Sequence, residues 1–200
     1  MKKIVSVCIL LLIFSCGKNK DLTVKVNVKG LKKGTIFLKK MQDSSIITVD
    51  SFAINREEPI LLYSELESPE VFFIQLNKNT SDDETITFFA NKGITEINTS
   101  LKKFGIDVTI NGSQQQKALE NYLQVMSRFN DKNLDLIKDE FDAKRENDTA
   151  KINAVQKAFN SLVKSKYLYT VNFAIANKDS ELAPYLALTE IADAQTKWLD

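Results

Sequence analysis

The sequence predicts an α+β protein, with an antiparallel β-sandwich-like domain of about eight strands over residues 22–112 and a helical region over residues 113–200 built on an α-helical hairpin. Two observations carry this. From Val24 to Ile110, β-branched and aromatic residues alternate with polar ones in short runs, and turn residues interrupt them roughly every 8 to 15 positions. At Gly112 the apolar period lengthens to steps of three and four, which a helix produces and a strand does not.

In the β part, Val24, Val26 and Val28 alternate with Lys25 and Asn27, the pattern of a strand with one face buried. Gly30 to Gly34 is a lysine-rich turn and Thr35 to Met41 a second β-rich run, so residues 23–41 are expected to pair as a hairpin. Gln42 to Ser45 is the next turn, Ile46 to Ile54 a strand, and Asn55 to Pro59 a break. Ile60 to Leu66 and Val71 to Leu76 follow; Pro59 and Pro69 stand outside the strands, where a missing N–H costs nothing. After the polar loop Asn77 to Glu84 come Thr85 to Ala90, a turn at Asn91 to Gly93, then Ile94 to Asn98 and Ile106 to Ile110.

Ser113 followed by Gln116 has the spacing of a capping box, in which the serine oxygen takes the Gln116 amide proton and the glutamine reaches back to the cap's own N–H. Leu119, Tyr122, Leu123, Met126, Phe129, Leu136, Ile137 and Phe141 then form one apolar stripe to about residue 144. Asn147 to Thr149 break and recap the chain, and Ile152, Val155, Phe159, Leu162, Val163, Leu168 and Phe173 continue to about residue 176. Two long helices joined by so short a link fold back on each other. Pro184 opens a third helix in its first turn, with Tyr185, Leu186, Leu188 and Ile191 on its buried face.

Ahead of these domains, Lys2 and Lys3 precede an apolar run from Ile4 to Phe14, a signal-peptide pattern too short to span a bilayer. The run ends in Ile13-Phe14-Ser15-Cys16-Gly17, which resembles the lipobox of bacterial lipoproteins. Residues 1–15 are therefore expected to be a cleaved lipoprotein signal, Cys16 the lipidated N-terminus, and residues 16–21 a tether. A multiply acylated cysteine anchors stably where one chain binds only marginally. The protein is expected in the cell envelope, held at a membrane and facing the periplasm, since Gly17 to Lys20 carries no acidic residue of the kind that resembles a surface-export signal.

Loss of Lys2 and Lys3 leaves 25 basic against 26 acidic residues, a balance that argues against a nucleic-acid partner. The chain has 2 cysteines and no histidine. With Cys8 removed and Cys16 lipidated, it lacks the residue types for a thioredoxin-type pair, a Cys/His zinc site or a histidine-based nucleophile. No catalytic residues, no cofactor and no enzymatic activity are expected; a periplasmic protein partner is.

Some clusters still ask for a role. Asp82, Asp83 and Glu84 offer oxygens to a hard cation but lack the glycine and distal glutamate of an EF-hand, so a solvated loop is the expectation. Asp131, Asp135 and Asp139 repeat every four residues and so share a helix face, expected to be wet. Strand alternation sends Phe72 and Phe73, and likewise Phe88 and Phe89, to opposite faces, so the outer members either pack under the helices or form a partner patch. Lys32/Lys33, Lys39/Lys40 and Lys102/Lys103 are paired cations suited to solvated turns and edges, or to anionic headgroups near the tether.

The segments GLKKGTIFLKKM, ITVDS, ELESPEVFFI, ITFFANKGITEINTSLKKF and INGSQQQKALENYLQVMSRFNDKNLDLIKDEF together resemble the domain of unknown function 4369 family. The resemblance extends over about residues 22–195 and is most specific at the glycine–serine start of the first helix. It implies an envelope lipoprotein of Gram-negative bacteria whose multidomain relatives carry a thioredoxin-like or peroxiredoxin-like domain after the helices. That redox domain is expected to be absent here, which leaves, as an alternative to a binding module, the substrate-recruiting front part of a thiol-disulfide oxidoreductase lacking its redox domain.

Overall fold

The structure, a computed structural model, describes residues 20–55, 59–77 and 84–191. It divides at Gly112 into a β unit and a helical unit.

The β unit holds eight strands among its described residues: β1 Leu22–Lys29, β2 Gly34–Gln42, β3 Ser45–Ile54, β4 Ile60–Ser64, β5 Glu70–Asn77, β6 Thr85–Ala90, β7 Gly93–Ser100 and β8 Thr109–Asn111. They form two four-stranded sheets, ordered β4-β1-β7-β8 and β3-β2-β5-β6. Inward residues of both sheets meet in one core, which includes Leu22, Val24 and Val26 from β1, Ile36 and Leu38 from β2, and Phe72, Ile74 and Leu76 from β5. This is the expected sandwich, with two differences in pairing.

First, β1 and β2 are not a hairpin; they lie in different sheets. The connecting turn contains one apolar residue, Leu31, which is 5% exposed and belongs to the core. Gly30 at φ 88 turns the chain, a conformation that glycine takes without penalty, and the Leu31 N–H donates to the Val28 carbonyl at 3.2 Å. Burying Leu31 between the layers carries the strand across the core instead of back along its own sheet. Second, β1 pairs with β7 in parallel, while the other strand pairs are antiparallel.

The β2–β3 ladder slips between Leu38 and Lys39: Leu38 faces Asp50 but Lys39 faces Thr48. Val49 is thus an extra residue, a β-bulge. Its effect is a change of parity: Ile47 and Val49 itself are half-buried, and beyond it Phe52 is half-buried and Ile54 buried. The bend lets Asp50 reach the other sheet, where its Oδ2 accepts the Tyr63 N–H at 2.8 Å while its Oδ1 accepts the Ser51 N–H at 2.8 Å.

The helical unit contains α1 Gln114–Arg145, α2 Thr149–Ala176 and α3 Leu182–Glu190. The Ser113 side chain caps α1, accepting the Gln116 N–H at 3.0 Å. Asn147 turns at φ 54, and Asp148 caps α2 by accepting the Lys151 N–H at 3.0 Å. Pro184 stands in the first turn of α3, where no intrahelical N–H bond is lost. Leu182 and Leu186 of α3 are fully buried.

The single wide stripe expected on α1 divides in two. Leu119, Tyr122, Met126 and Leu136 are buried, but Leu123, Ile137 and Phe141 are 49%, 49% and 66% exposed. On α2, Leu162 is buried while Val163 and Leu168 are exposed. A helix with one antiparallel neighbour buries a narrow seam repeating every seven residues, and side chains one position beyond that seam stay wet.

Candidate functional site

Cys16, the one residue to which the sequence assigns a chemical role, lies outside the described residues, as do Asp82 and Asp83. Glu84 is half-buried just ahead of β6. Asp131, Asp135 and Asp139 are all exposed along α1, which gives them the expected wet face. Among the described residues no three His, Cys, Asp or Glu side chains are placed to hold a metal ion. No helix among them is long and apolar enough to cross a membrane.

The paired phenylalanines separate as alternation demands. Phe72 and Phe88 are fully buried and stack at 5.9 Å between ring centroids inside the core. Phe73 is half-buried, and Phe89 is 2% exposed on the opposite face of β6, outside the core cluster. Phe89 is therefore not available as an exposed partner patch.

The lysine pairs are not all near the start of β1, where the tether is expected. Strand directions put the start of β1, the β2–β3 turn, the β4–β5 turn and the β6–β7 turn at one end of the sandwich. Lys32, Lys33, Lys102 and Lys103 sit at the other end, in the β1–β2 turn and the 3₁₀ turn Leu101–Lys103 after β7. Of the three pairs, Lys39/Lys40 alone lies toward the tether, and the Lys40 ammonium is bound to Glu70 at 2.9 Å.

The end at which β1 begins, that of the expected tether, is where side chains converge. Asp21 accepts the Leu66 N–H on Oδ2 at 3.2 Å, its carbonyl accepts the Gly93 N–H at 2.8 Å, and Lys92 Nζ lies 3.6 Å from Oδ1. One residue thus ties the chain's point of exit to two turns. Beside it, Lys20, Lys40, Gln42, Ile47, Asp50 and Tyr63 are among the residues lining an open groove of about 580 Å³. The Lys20 ammonium stands 3.6 Å above the Tyr63 ring, an attraction of a cation to an aromatic face. Sequence reasoning missed this groove. Its one signal was the broken alternation around Val49 and Asp50, which marks a bulge.

In the helical unit the polar centre is Tyr122, fully buried. Its ring meets Phe173 at 5.3 Å and Tyr169 at 6.0 Å. Thr170 Oγ1 donates to the Lys166 carbonyl at 3.0 Å, which leaves that oxygen free to accept the Tyr122 hydroxyl proton at 2.8 Å. Burial, opposed in part by this bond, pushes the Tyr122 hydroxyl up to about 12. A phenol so held is a structural donor, not a proton carrier at neutral pH.

The unit also exposes an apolar face. Leu134 is 64% exposed, and with Leu123, Ile137 and Phe141 it occupies one sector about 60° wide at the 3.6-residue helical period. Asp131, Asp135 and Asp139 fall on the other flank of α1 by the same period.

No curated protein matches the chain. The family model described as "Domain of unknown function (DUF4369)" matches residues 22–119. The match ends at Leu119, so the helical residues beyond it lie outside the matched span, although the resemblance was expected to extend over them to about residue 195. From the first strand of the sandwich to the opening turns of α1, the chain matches the DUF4369 family, a domain whose function is unknown.

Proposed function

We propose that this protein is a lipid-anchored envelope component that works by binding, without catalysis: Cys16 attaches it to a membrane, and the helical unit presents the contact face for a periplasmic protein partner. The observation that carries the reading is the exposed sector Leu123, Leu134, Ile137 and Phe141 on α1. Exposed apolar patches rimmed by polar residues mark interaction sites, and Leu134, Ile137 and Phe141, at steps of three and four, adjoin one another on this face. The chain's residue types support binding over chemistry, since it has no histidine and no cysteine beyond Cys8 and Cys16.

A photo-activatable side chain placed at Ile137 in the membrane-held protein tests this. A discrete adduct from position 137, absent when the probe sits at Asp131 on the wet flank, is the expected result. Equal labelling from both positions, or none from either, removes the binding face. An adduct with a thioredoxin-fold protein instead supports the recruiting role that the family resemblance implies.

A further inference from the structure

We propose that the tether end of the β sandwich is itself a membrane contact, lying against the bilayer surface through apolar side chains. This rests on the reading of Cys16 as the lipidated residue. Three of the five large apolar side chains that the β unit exposes among its described residues are at this end: Met41, 50% exposed, Ile46, 56% exposed, and Ile94, 72% exposed. Met41 and Ile46 face each other across the β2–β3 ladder, one pair from its turn. Ile94 follows the β6–β7 turn and pairs with Thr23.

These residues sit on the outer faces of opposite sheets. Leu38 is buried in β2, so Met41, three positions on, points outward from that sheet; Leu22 is buried in β1, so the Thr23–Ile94 pair points outward from the other. They therefore bracket the point where the chain leaves, fixed by Asp21 and by Lys20 over Tyr63.

Chain length turns this placement into a contact. Lys20 is four residues after Cys16, and four residues fully extended reach at most about 14 Å. A cysteine whose acyl chains lie in the bilayer thus holds Lys20, and the end of the sandwich with it, against the headgroups. The recognition is apolar, because the described cations there are already engaged: Lys40 with Glu70 at 2.9 Å, Lys92 with Asp21 at 3.6 Å, and Lys20 and Lys39 over the Tyr63 and Phe37 rings. The lysines of the β1–β2 turn and of the 3₁₀ turn are at the far end.

The lipidated full-length protein, reconstituted in vesicles of phosphatidylethanolamine and phosphatidylglycerol with a bromine-quencher lipid, tests the contact. Its cysteine thiol is alkylated, so Ile46→Cys, Ile94→Cys and Ile106→Cys each offer one reactive site for an environment-sensitive dye. Ile106 is 86% exposed and sits at the far end, after the 3₁₀ turn. The expected result is several-fold stronger quenching at 46 and 94 than at 106, unchanged when phosphatidylcholine replaces phosphatidylglycerol. Quenching at 46 and 94 no greater than at 106, in protein that floats with the vesicles, overturns the contact and leaves the anchor standing. Protein that does not float with the vesicles overturns the anchor and the contact together. Quenching that disappears without phosphatidylglycerol assigns the contact to charge and overturns its apolar nature.

Discussion

At the scale of single residues, two positions show how little tolerance the packing leaves. Tyr122 is a phenol whose neutral form is favoured by burial, and its value rises from 10.0 to about 12. Its contribution is fully present below pH 10 and is lost as pH climbs through about 12, an effect of roughly 2–3 kcal/mol at the upper limit. Tyr185 is shifted upward for the same reason, so it adds to the alkaline loss. Tyr122→Phe keeps the ring contacts and removes the bond to Thr170, which predicts a cost of about 1 kcal/mol at neutral pH and a shallower decline of stability above pH 10. Denaturant titrations across that range check it; identical slopes in the two proteins would show that the hydroxyl does not titrate with unfolding. Gly112 is constrained by distance instead. A Cβ there would stand 2.8 Å from Thr95 Oγ1 and 3.1 Å from its Cγ2, and Thr95 is 1% exposed. Gly112→Ala is predicted to cost roughly 1–3 kcal/mol. Adding Thr95→Ala should recover part of that loss, a coupling read by comparing the double variant with both single ones; strict additivity would place the strain elsewhere.

Secondary-structure elements differ in how openly the sequence announces them. β1 is transparent, because Val24 and Val26 alternate with polar residues and are buried as the alternation requires. The α1 start is equally plain in Ser113 and Gln116, since capping is a local affair of one side chain and one amide. β3 is less so: its apolar residues change parity at Val49, and a period of two cannot be read through an inserted residue. The α1 stripe misled for another reason. Adjacent pairs such as Tyr122 with Leu123 and Leu136 with Ile137 blur two sectors into one, and the periodicity alone does not say how many neighbours a helix has. The bulge at Val49 is worth testing because it aims Asp50 between the sheets. Asp50→Ala leaves the Tyr63 and Ser51 amides without their acceptor, a predicted loss of about 1–3 kcal/mol for the buried part of that pair. Asp50→Asn keeps one acceptor oxygen and should fall between the two. An alanine variant as stable as the wild type in thermal unfolding would mean that the bulge holds its shape without the carboxylate.

For the whole molecule, what the sequence could not disclose is mostly what joins distant segments. Alternation marks β1 and β7 as strands but is the same for parallel and antiparallel partners, so their parallel pairing was not legible; nor was the crossing of the core after Leu31, which depends on where one side chain buries. The same topology sets the order of folding. The β unit closes by joining its first strand to its seventh, as in the bond from Asn27 to Asn98, 71 residues apart, and such closure costs chain entropy before its contacts repay it. The helical unit is assembled from neighbours: α1 meets α2 across the short turn at Glu146 to Asp148. Local contacts form in microseconds to milliseconds, whereas sandwiches dominated by distant pairings take roughly milliseconds to seconds. Refolding of the unlipidated chain, with hydrogen exchange pulsed at increasing delays, is therefore predicted to protect amides of α1 and α2 first and those of β1 and β7 last. Within the β unit, β2 and β3, joined by a two-residue turn at Asp43 and Ser44, should gain protection ahead of β1. Protection of β1 and β7 that rises together with α1 would show that the first-to-seventh closure is not the slow step, and would place the nucleus of the sandwich in the pairing that its topology makes most expensive.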